Sequence, residues 1–274
     1  MKKIVLPQTN LTVSQLGFGT ASLHHLMKQE EREKLLNSAL ELGFTHFDTA
    51  PLYGEGLAES TLGKFFRSKR NNITLATKVG IPTHPVFRLF PMLMYGKKLS
   101  SSFVRRYWPQ IQNSSYQLFL EQRQVENSLR NSLKALRTDW LDILFIHEPR
   151  IQYLPQLMNL AQWIERLKRE GVIRYSGLAG KAEECLSIVQ EIPNTFDILQ
   201  VEDSIINREA DALIDANLTI QITFGYLRNC LVDSKSSNIC DVVRQSLQRN
   251  PYGMILVSSR DYSRLEQLSL LTGE

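Results

Sequence analysis

Cysteine is scarce in this chain of 274 residues. Only Cys185, Cys230 and Cys240 are present, odd in number and irregularly spaced, with no CxxC pair. That excludes a disulfide framework and a thiolate zinc site, and it fits free thiols in a reducing compartment. Long apolar runs are lacking too. No stretch approaches the ~20 residues that cross a bilayer. Met1-Lys2-Lys3-Ile4-Val5-Leu6-Pro7 carries too short an apolar segment for a signal peptide. The expectation is a soluble cytoplasmic protein with no membrane partner. A strong excess of one charge is also missing: 32 Lys and Arg against 28 Asp and Glu leave a net charge of +4. The mildly basic balance is spread along the chain. No zinc-ligand spacing or aromatic-basic RNA motif accompanies it, so a nucleic-acid partner is not expected.

What is present is an ordinary globular composition, 43% hydrophobic and 22% charged, enough for a large core. Short apolar runs alternate with amphipathic stretches, the pattern of a parallel sheet with helical crossovers. Strands are expected at Leu16–Thr20, Thr45–Asp48, Ile73–Lys78, Asp142–His147, Ile173–Gly177, Ile198–Val201, Leu218–Thr223 and Met254–Val257. Helices are expected at Glu30–Leu42, Ala58–Phe66, Tyr116–Leu136, Pro155–Glu170, Ala182–Glu191, Glu209–Ala216, Asn238–Arg249 and Ser263–Leu271. Eight such units without a linker predict one domain over 1–274, an α/β chain closed into a (β/α)8 TIM barrel. An open doubly wound sheet is the alternative, but no strand is followed by a GxGxxG turn.

Active sites of such barrels lie at the carboxyl ends of the strands. The polar residues there are Asp48 with Tyr53, Lys78, His147, Gln200 and Ser259. Each has a structural reading of its own: a turn cap, a packed aromatic, a solvated lysine, a satisfied core histidine. Four chemically complementary groups at strand ends on one face form a set. Hydride arriving at a carbonyl makes an alkoxide, which needs a proton. A phenol has a pKa near 10, which a neighbouring ammonium is expected to lower. A buried ammonium needs a counter-charge, and Asp48 supplies it. An imidazole can polarise the carbonyl, and the hydride itself must come from a cofactor. No metal site is expected.

The run Gly43-Phe44-Thr45-His46-Phe47-Asp48-Thr49-Ala50-Pro51-Leu52-Tyr53-Gly54, followed by Glu59-Ser60-Thr61-Leu62-Gly63, resembles the first signature of the aldo-keto reductases. Thr74-Leu75-Ala76-Thr77-Lys78-Val79-Gly80 and Asp139-Trp140-Leu141-Asp142-Ile143-Leu144-Phe145-Ile146-His147 resemble the strands that deliver that family's lysine and histidine, and Gly17-Phe18-Gly19-Thr20 resembles its first strand end. The resemblance implies a catalytic tetrad at Asp48, Tyr53, Lys78 and His147. It also implies a (β/α)8 barrel that binds NADPH or NADH without a Rossmann domain.

By the same resemblance the cofactor would meet Gly19, Thr20, Asp48, Gln200, Phe224, Ser259, Arg260 and Arg264. The family's Ser-Asn pair after the fifth strand is replaced by Ala179-Gly180, which has no side-chain hydrogen-bonding group. Phe224 would stack on the nicotinamide; core packing is its other reading. After the last strand, Ser259 and Arg264 keep the serine and arginine of the 2′-phosphate pattern, and Ser258 replaces the lysine, with Arg260 beside it. Ser263 and Glu266 read as a capping box there, and a helix start with arginines makes an anion site. NADPH is therefore expected ahead of NADH. A solvated helix charge is the other reading of Arg264.

Residues 79–114 are long for a strand-to-helix connection. They carry Arg88, Lys97, Lys98, Arg105 and Arg106 with no Asp or Glu, and six aromatics. Emerging just after Lys78, this insertion is expected to act as a lid that favours an anionic substrate, since little chain follows the last helix. A surface excursion or an oligomer contact are its alternatives, and the oligomeric state has no signal in the sequence. The expected function is NAD(P)H-dependent oxidoreduction of an aldehyde, ketone or sugar, with the motifs nudging toward sugars. The alternatives are a cofactor-binding regulatory subunit, like the potassium-channel β subunits, and a phosphate-binding barrel lyase or isomerase.

Overall fold

The computed structural model describes residues 1–83, 117–227 and 238–272. The chain opens with an antiparallel hairpin, β1 (Lys3–Val5) and β2 (Thr12–Ser14), paired through Ile4 and Val13. It then runs β3 (Leu16–Gly19), α1 (Gln29–Glu41), β4 (His46–Asp48), α2 (Leu57–Phe65) and β5 (Thr74–Val79). After 84–116 come α3 (Gln122–Leu136), β6 (Leu141–His147), α4 (Leu154–Arg169), β7 (Ile173–Gly180), α5 (Ala182–Glu191), β8 (Ile198–Glu202), α6 (Asp211–Asp215) and β9 (Ile222–Phe224). Past 228–237 the described chain ends with α7 (Ile239–Arg249), β10 (Met254–Val257) and α8 (Tyr262–Leu270).

Strands β3 to β10 form a closed parallel barrel, sealed where β10 pairs with β3. The (β/α)8 expectation is met. The helices form because apolar residues recur at helical spacing. In α4, Leu157, Leu160, Ile164 and Leu167 face the strands, and Pro155 fits the first turn, where its missing N–H costs nothing. In α3, Val125, Leu129 and Leu136 do the same, and Arg137 ends the helix in the left-handed region. The barrel interior has its own cluster. Leu6, Leu11 and Val13 of the hairpin meet Ile198, Ile222 and Met254, the first residues of β8, β9 and β10. The hairpin therefore plugs the amino end, and the carboxyl end is left for chemistry.

Three expectations shift. The helix expected from Tyr116 begins at Gln122. Among the described residues before it, Leu118 and Leu120 are buried while Gln117 and Phe119 are exposed. That is an extended alternation, pinned by the Phe119 amide donating to the Gly80 carbonyl at 2.7 Å. The strand expected from Leu218 begins at Ile222. Gln221 ahead of it meets β8 through its side chain, accepting from the Leu199 amide at 2.8 Å. The strand expected to end at Gly177 continues to Gly180. The insertion expected as a lid lies, apart from 79–83, outside the described residues up to 114. No described helix is long and apolar enough to cross a membrane.

Candidate active site

Parallel register sets the polar strand ends side by side. Gly19 is level with Asp48, His147 with Ala179, Ala179 with Gln200, and Glu202 with Phe224. They floor a cleft of about 1190 Å³ whose lining includes Asp48, Tyr53, Lys78, His147, Gln200 and Phe224. That is just beyond the upper end of the ~300–1,000 Å³ of a typical small-ligand pocket.

Lys78 is the hub. Its ammonium donates to Asp48 Oδ1 at 2.5 Å and to the Thr49 carbonyl at 2.9 Å, and it stands 4.9 Å from the Tyr53 ring centroid. A carboxylate and a carbonyl accept from it beside a phenol ring, which lets a lysine with a side chain only 2% exposed stay charged. Burial alone would lower its pKa, but Asp48 and Tyr53 together hold it above the ordinary lysine value. Sequence reasoning paired Lys78 with Asp48; the Thr49 carbonyl, a backbone atom, left no signal.

Tyr53 reaches Lys78 because the chain after β4 makes a tight turn. Its amide donates to the Ala50 carbonyl, and Gly54, Glu55 and Gly56 all take positive φ. At Gly54, with φ of 62°, an added Cβ would come 2.5 Å from Cβ of His24, so glycine is required there. One expectation is corrected. Burial raises the Tyr53 pKa, and Lys78 only opposes that rise, with Asp48 and Glu148 adding to it. Desolvation of the phenolate outweighs the ammonium, so Tyr53 is a protonated phenol at neutral pH. His147 stands with its ring edge-on to Tyr53, centroids 6.0 Å apart. Burial and then Lys78 hold its pKa well below the usual value, so the imidazole is neutral.

Among the residues expected to touch a cofactor, Gly19, Asp48, Gln200, Phe224, Ser259, Arg260 and Arg264 line the cleft. Thr20 does not. It is fully buried, and its amide and hydroxyl both bond the Asp48 carbonyl at 2.9 Å, so it braces the strand end that carries Asp48. Gln200 is 3% exposed, and its Oε1 has no hydrogen-bond partner. A buried amide oxygen without a donor costs ~1–3 kcal/mol. A ligand N–H would relieve that cost, so the residue fits the carboxamide of a nicotinamide. At the other end of the cleft the expected Ser263–Glu266 capping box is not formed. Asp261 is the N-cap, accepting from the Ser263 amide at 2.9 Å and the Ser263 hydroxyl at 2.8 Å. The Asp261 carboxylate, two residues before Ser263, accepts those donors and caps the helix in place of that box. Ser259 Oγ accepts from the Asp261 amide at 3.1 Å.

Several lining groups had not been anticipated. Ser22 and Ser258 join hydroxyls at 2.8 Å across the strand ends of β3 and β10. Glu148, Glu184 and Glu202 add carboxylates to the lining, and Arg150 and Lys181 add cations. Glu184 sits in the first turn of α5 and Glu202 ends β8, while Glu148, Arg150 and Lys181 depend on how their loops fold back, which periodicity does not show.

The Aldo/keto reductase family model matches residues 15–221. The oxidoreductase YqkF of Bacillus subtilis is 24% identical over 255 residues, which cover 92% of this chain and 72% of that protein. D-threo-aldose 1-dehydrogenase of a Pseudomonas species is 28% identical over 187 residues, 65% of this chain. The chain spans about half of that relative, 53% of its length. Among solved structures, an aldo-keto reductase of Klebsiella pneumoniae in complex with NADPH superposes with a TM-score of 0.69. It is 18% identical, and the match covers 100% of this chain and 90% of that one.

Proposed function

We propose, from the premise that this chain belongs to the aldo/keto reductase family, that it interconverts a carbonyl compound and its alcohol with Tyr53 as the proton-transfer residue. The carrying observation is the buried cluster of Tyr53, Lys78 and Asp48, with the His147 ring edge-on to Tyr53. A bound nicotinamide cofactor would supply or accept the hydride.

The chain's own residues do the rest. Tyr53, kept protonated by burial, donates its proton to the oxygen that becomes an alcohol, and takes one back in oxidation. Lys78 steadies the phenolate left behind, and Asp48 keeps Lys78 charged. His147, neutral, donates a hydrogen bond to the same carbonyl oxygen and polarises it. General acid catalysis of this kind contributes ~10²–10⁴-fold. Gln200 Oε1 would accept from the carboxamide, and Phe224 would offer a ring face. Ser259, Arg260 and Arg264 would hold the adenosine phosphate, which favours NADPH over NADH.

A sugar or related aldehyde or ketone is the proposed substrate class. The likeness to a D-threo-aldose 1-dehydrogenase supports it, as does a cleft lined by carboxylates and cations that can bond hydroxyl groups. The preference for an anionic substrate rests on the cations of the 79–114 insertion and stays tied to that segment. The test is to follow nicotinamide absorbance with aldoses, aldehydes and ketones, in both directions and with both cofactors. Turnover of at least one sugar, lost in Tyr53→Phe, is the expected result. Cofactor binding with no turnover on any substrate would favour the regulatory-subunit reading instead.

A further inference from the structure

Glu148 follows His147 directly and holds a φ of 48°, a left-handed conformation that a non-glycine residue rarely adopts. Its amide donates to the Ala179 carbonyl at 2.7 Å. The turn brings its side chain back over the end of β7. A Cβ built on Gly180 would lie 3.0 Å from Pro149 Cδ, 3.2 Å from Glu148 Cα and 3.4 Å from a Glu148 carboxylate oxygen. A larger residue at 180 would crowd that turn. The left-handed residue and the glycine facing it thus fit together, and they set a carboxylate in the cleft lining with Tyr53, Ala179 and Gln200.

Its charge is felt at the chemistry: Glu148 is among the groups that push up the Tyr53 pKa, after burial, Lys78 and Asp48. Hydride transfer requires the reacting carbons to approach to about 3–3.5 Å, and the carbonyl oxygen must meet the Tyr53 hydroxyl. A charge that acts on Tyr53 therefore also acts on the nicotinamide ring. That ring is cationic when oxidised and neutral when reduced.

We infer that Glu148 selects the redox state of the cofactor, tightening the oxidised form relative to the reduced form and biasing the bound equilibrium toward carbonyl reduction. The inference rests on the oxidoreductase reading above. In that direction Tyr53 gives its proton to the oxygen that becomes the alcohol and is reprotonated from solvent, while the carbonyl carbon takes the hydride that the cofactor would supply. One proton is consumed, and the products are an alcohol and the oxidised cofactor. Glu148 exchanges no atoms; its field sets the balance. Arg150, Lys181, Glu184 and Glu202 share the lining, and the Glu184 carboxylate accepts from the Ile151 amide at 2.7 Å. Those charges are present with either cofactor form, so a change at 148 alone isolates its share. Two unit charges about 10 Å apart at an effective dielectric near 20 correspond to roughly a tenfold change in binding.

The experiment is calorimetric titration of the full chain with NADP⁺ and with NADPH, for wild type, Glu148→Gln and Glu148→Asp. Thermal melts confirm that each variant is folded. The ratio of the two Kd values should shift about tenfold against the oxidised form in Glu148→Gln, mainly through weaker NADP⁺ binding. Glu148→Asp, which keeps the charge, should stay within about threefold of wild type. A ratio unchanged in Glu148→Gln, or an equal loss for both forms, overturns the inference while leaving the oxidoreductase reading standing. Failure of wild type to bind either form overturns both.

Discussion

Replacing Lys78 with methionine and Asp48 with asparagine together should cost less than the two single replacements add up to. The Lys78 and Asp48 side chains are 2% and 3% exposed, and they meet at 2.5 Å. Charges about 4 Å apart at an effective dielectric near 20 attract by about 4 kcal/mol. Removing one partner leaves the other buried and uncompensated, which costs ~3–5 kcal/mol. Lys78→Met and Asp48→Asn should therefore each lower the unfolding free energy by about that amount. The double variant carries no orphaned charge, and should lose less than the sum by roughly 2–3 kcal/mol. Urea unfolding of the wild type and three variants measures this coupling. Activity should follow a different pattern: every variant lacking Lys78 loses at least ~10²-fold in kcat, because the Tyr53 phenolate loses its nearest cation. Additive unfolding free energies, within about 0.5 kcal/mol, would refute the idea that the floor of the cleft is organised by this ion pair.

His46, fully buried and joined through Nδ1 to Thr74 Oγ1 at 2.9 Å, has its pKa lowered to about 3, by burial and then Lys78. A histidine neutral in the fold but titrating near 6.5 when unfolded lends stability above pH 6.5 that is lost as pH falls toward 3. Between pH 7 and 5 the wild type should lose about 2 kcal/mol more than His46→Asn does; equal losses in urea unfolding would remove His46 from that role. Asp142, under the barrel, accepts from Arg70 at 2.9 Å and the Leu75 amide at 2.8 Å, and Arg70 stacks 3.6 Å from the Trp140 ring centroid. Asp142→Ala should destabilise by about 3–5 kcal/mol with Asp142→Asn intermediate, and a loss under about 1 kcal/mol would show that the network is not structural. Arg264→Ala should raise the Kd for NADPH about tenfold and leave NADH unchanged; equal weakening of both would take Arg264 off the phosphate.

The barrel was legible because its signal repeats. Strands such as Leu141–His147 are apolar runs ending on a polar residue, and α5 carries its periodicity over its full length, so its expected bounds were met at Ala182 and Glu191. The hairpin of β1 and β2 was not legible, since three-residue strands are too short to show a period. Asp48, Lys78 and His147 were placed by topology, as they stand at or next to the last residue of their strands. The direction of the Tyr53 shift was misjudged because a sequence reveals the neighbouring cation but not the burial that outweighs it. Glu148 was overlooked for a related reason: its place depends on a left-handed turn and on the absence of a side chain at Gly180.

Tyr53→Phe tests the central claim most directly, because it removes one oxygen and keeps the ring that packs against His147. Cofactor affinity and turnover should be measured on the same preparation. The account predicts a cofactor Kd within about threefold of wild type and a kcat lower by at least ~10²-fold. Turnover equal to wild type would contradict it, since proton transfer would then not pass through Tyr53.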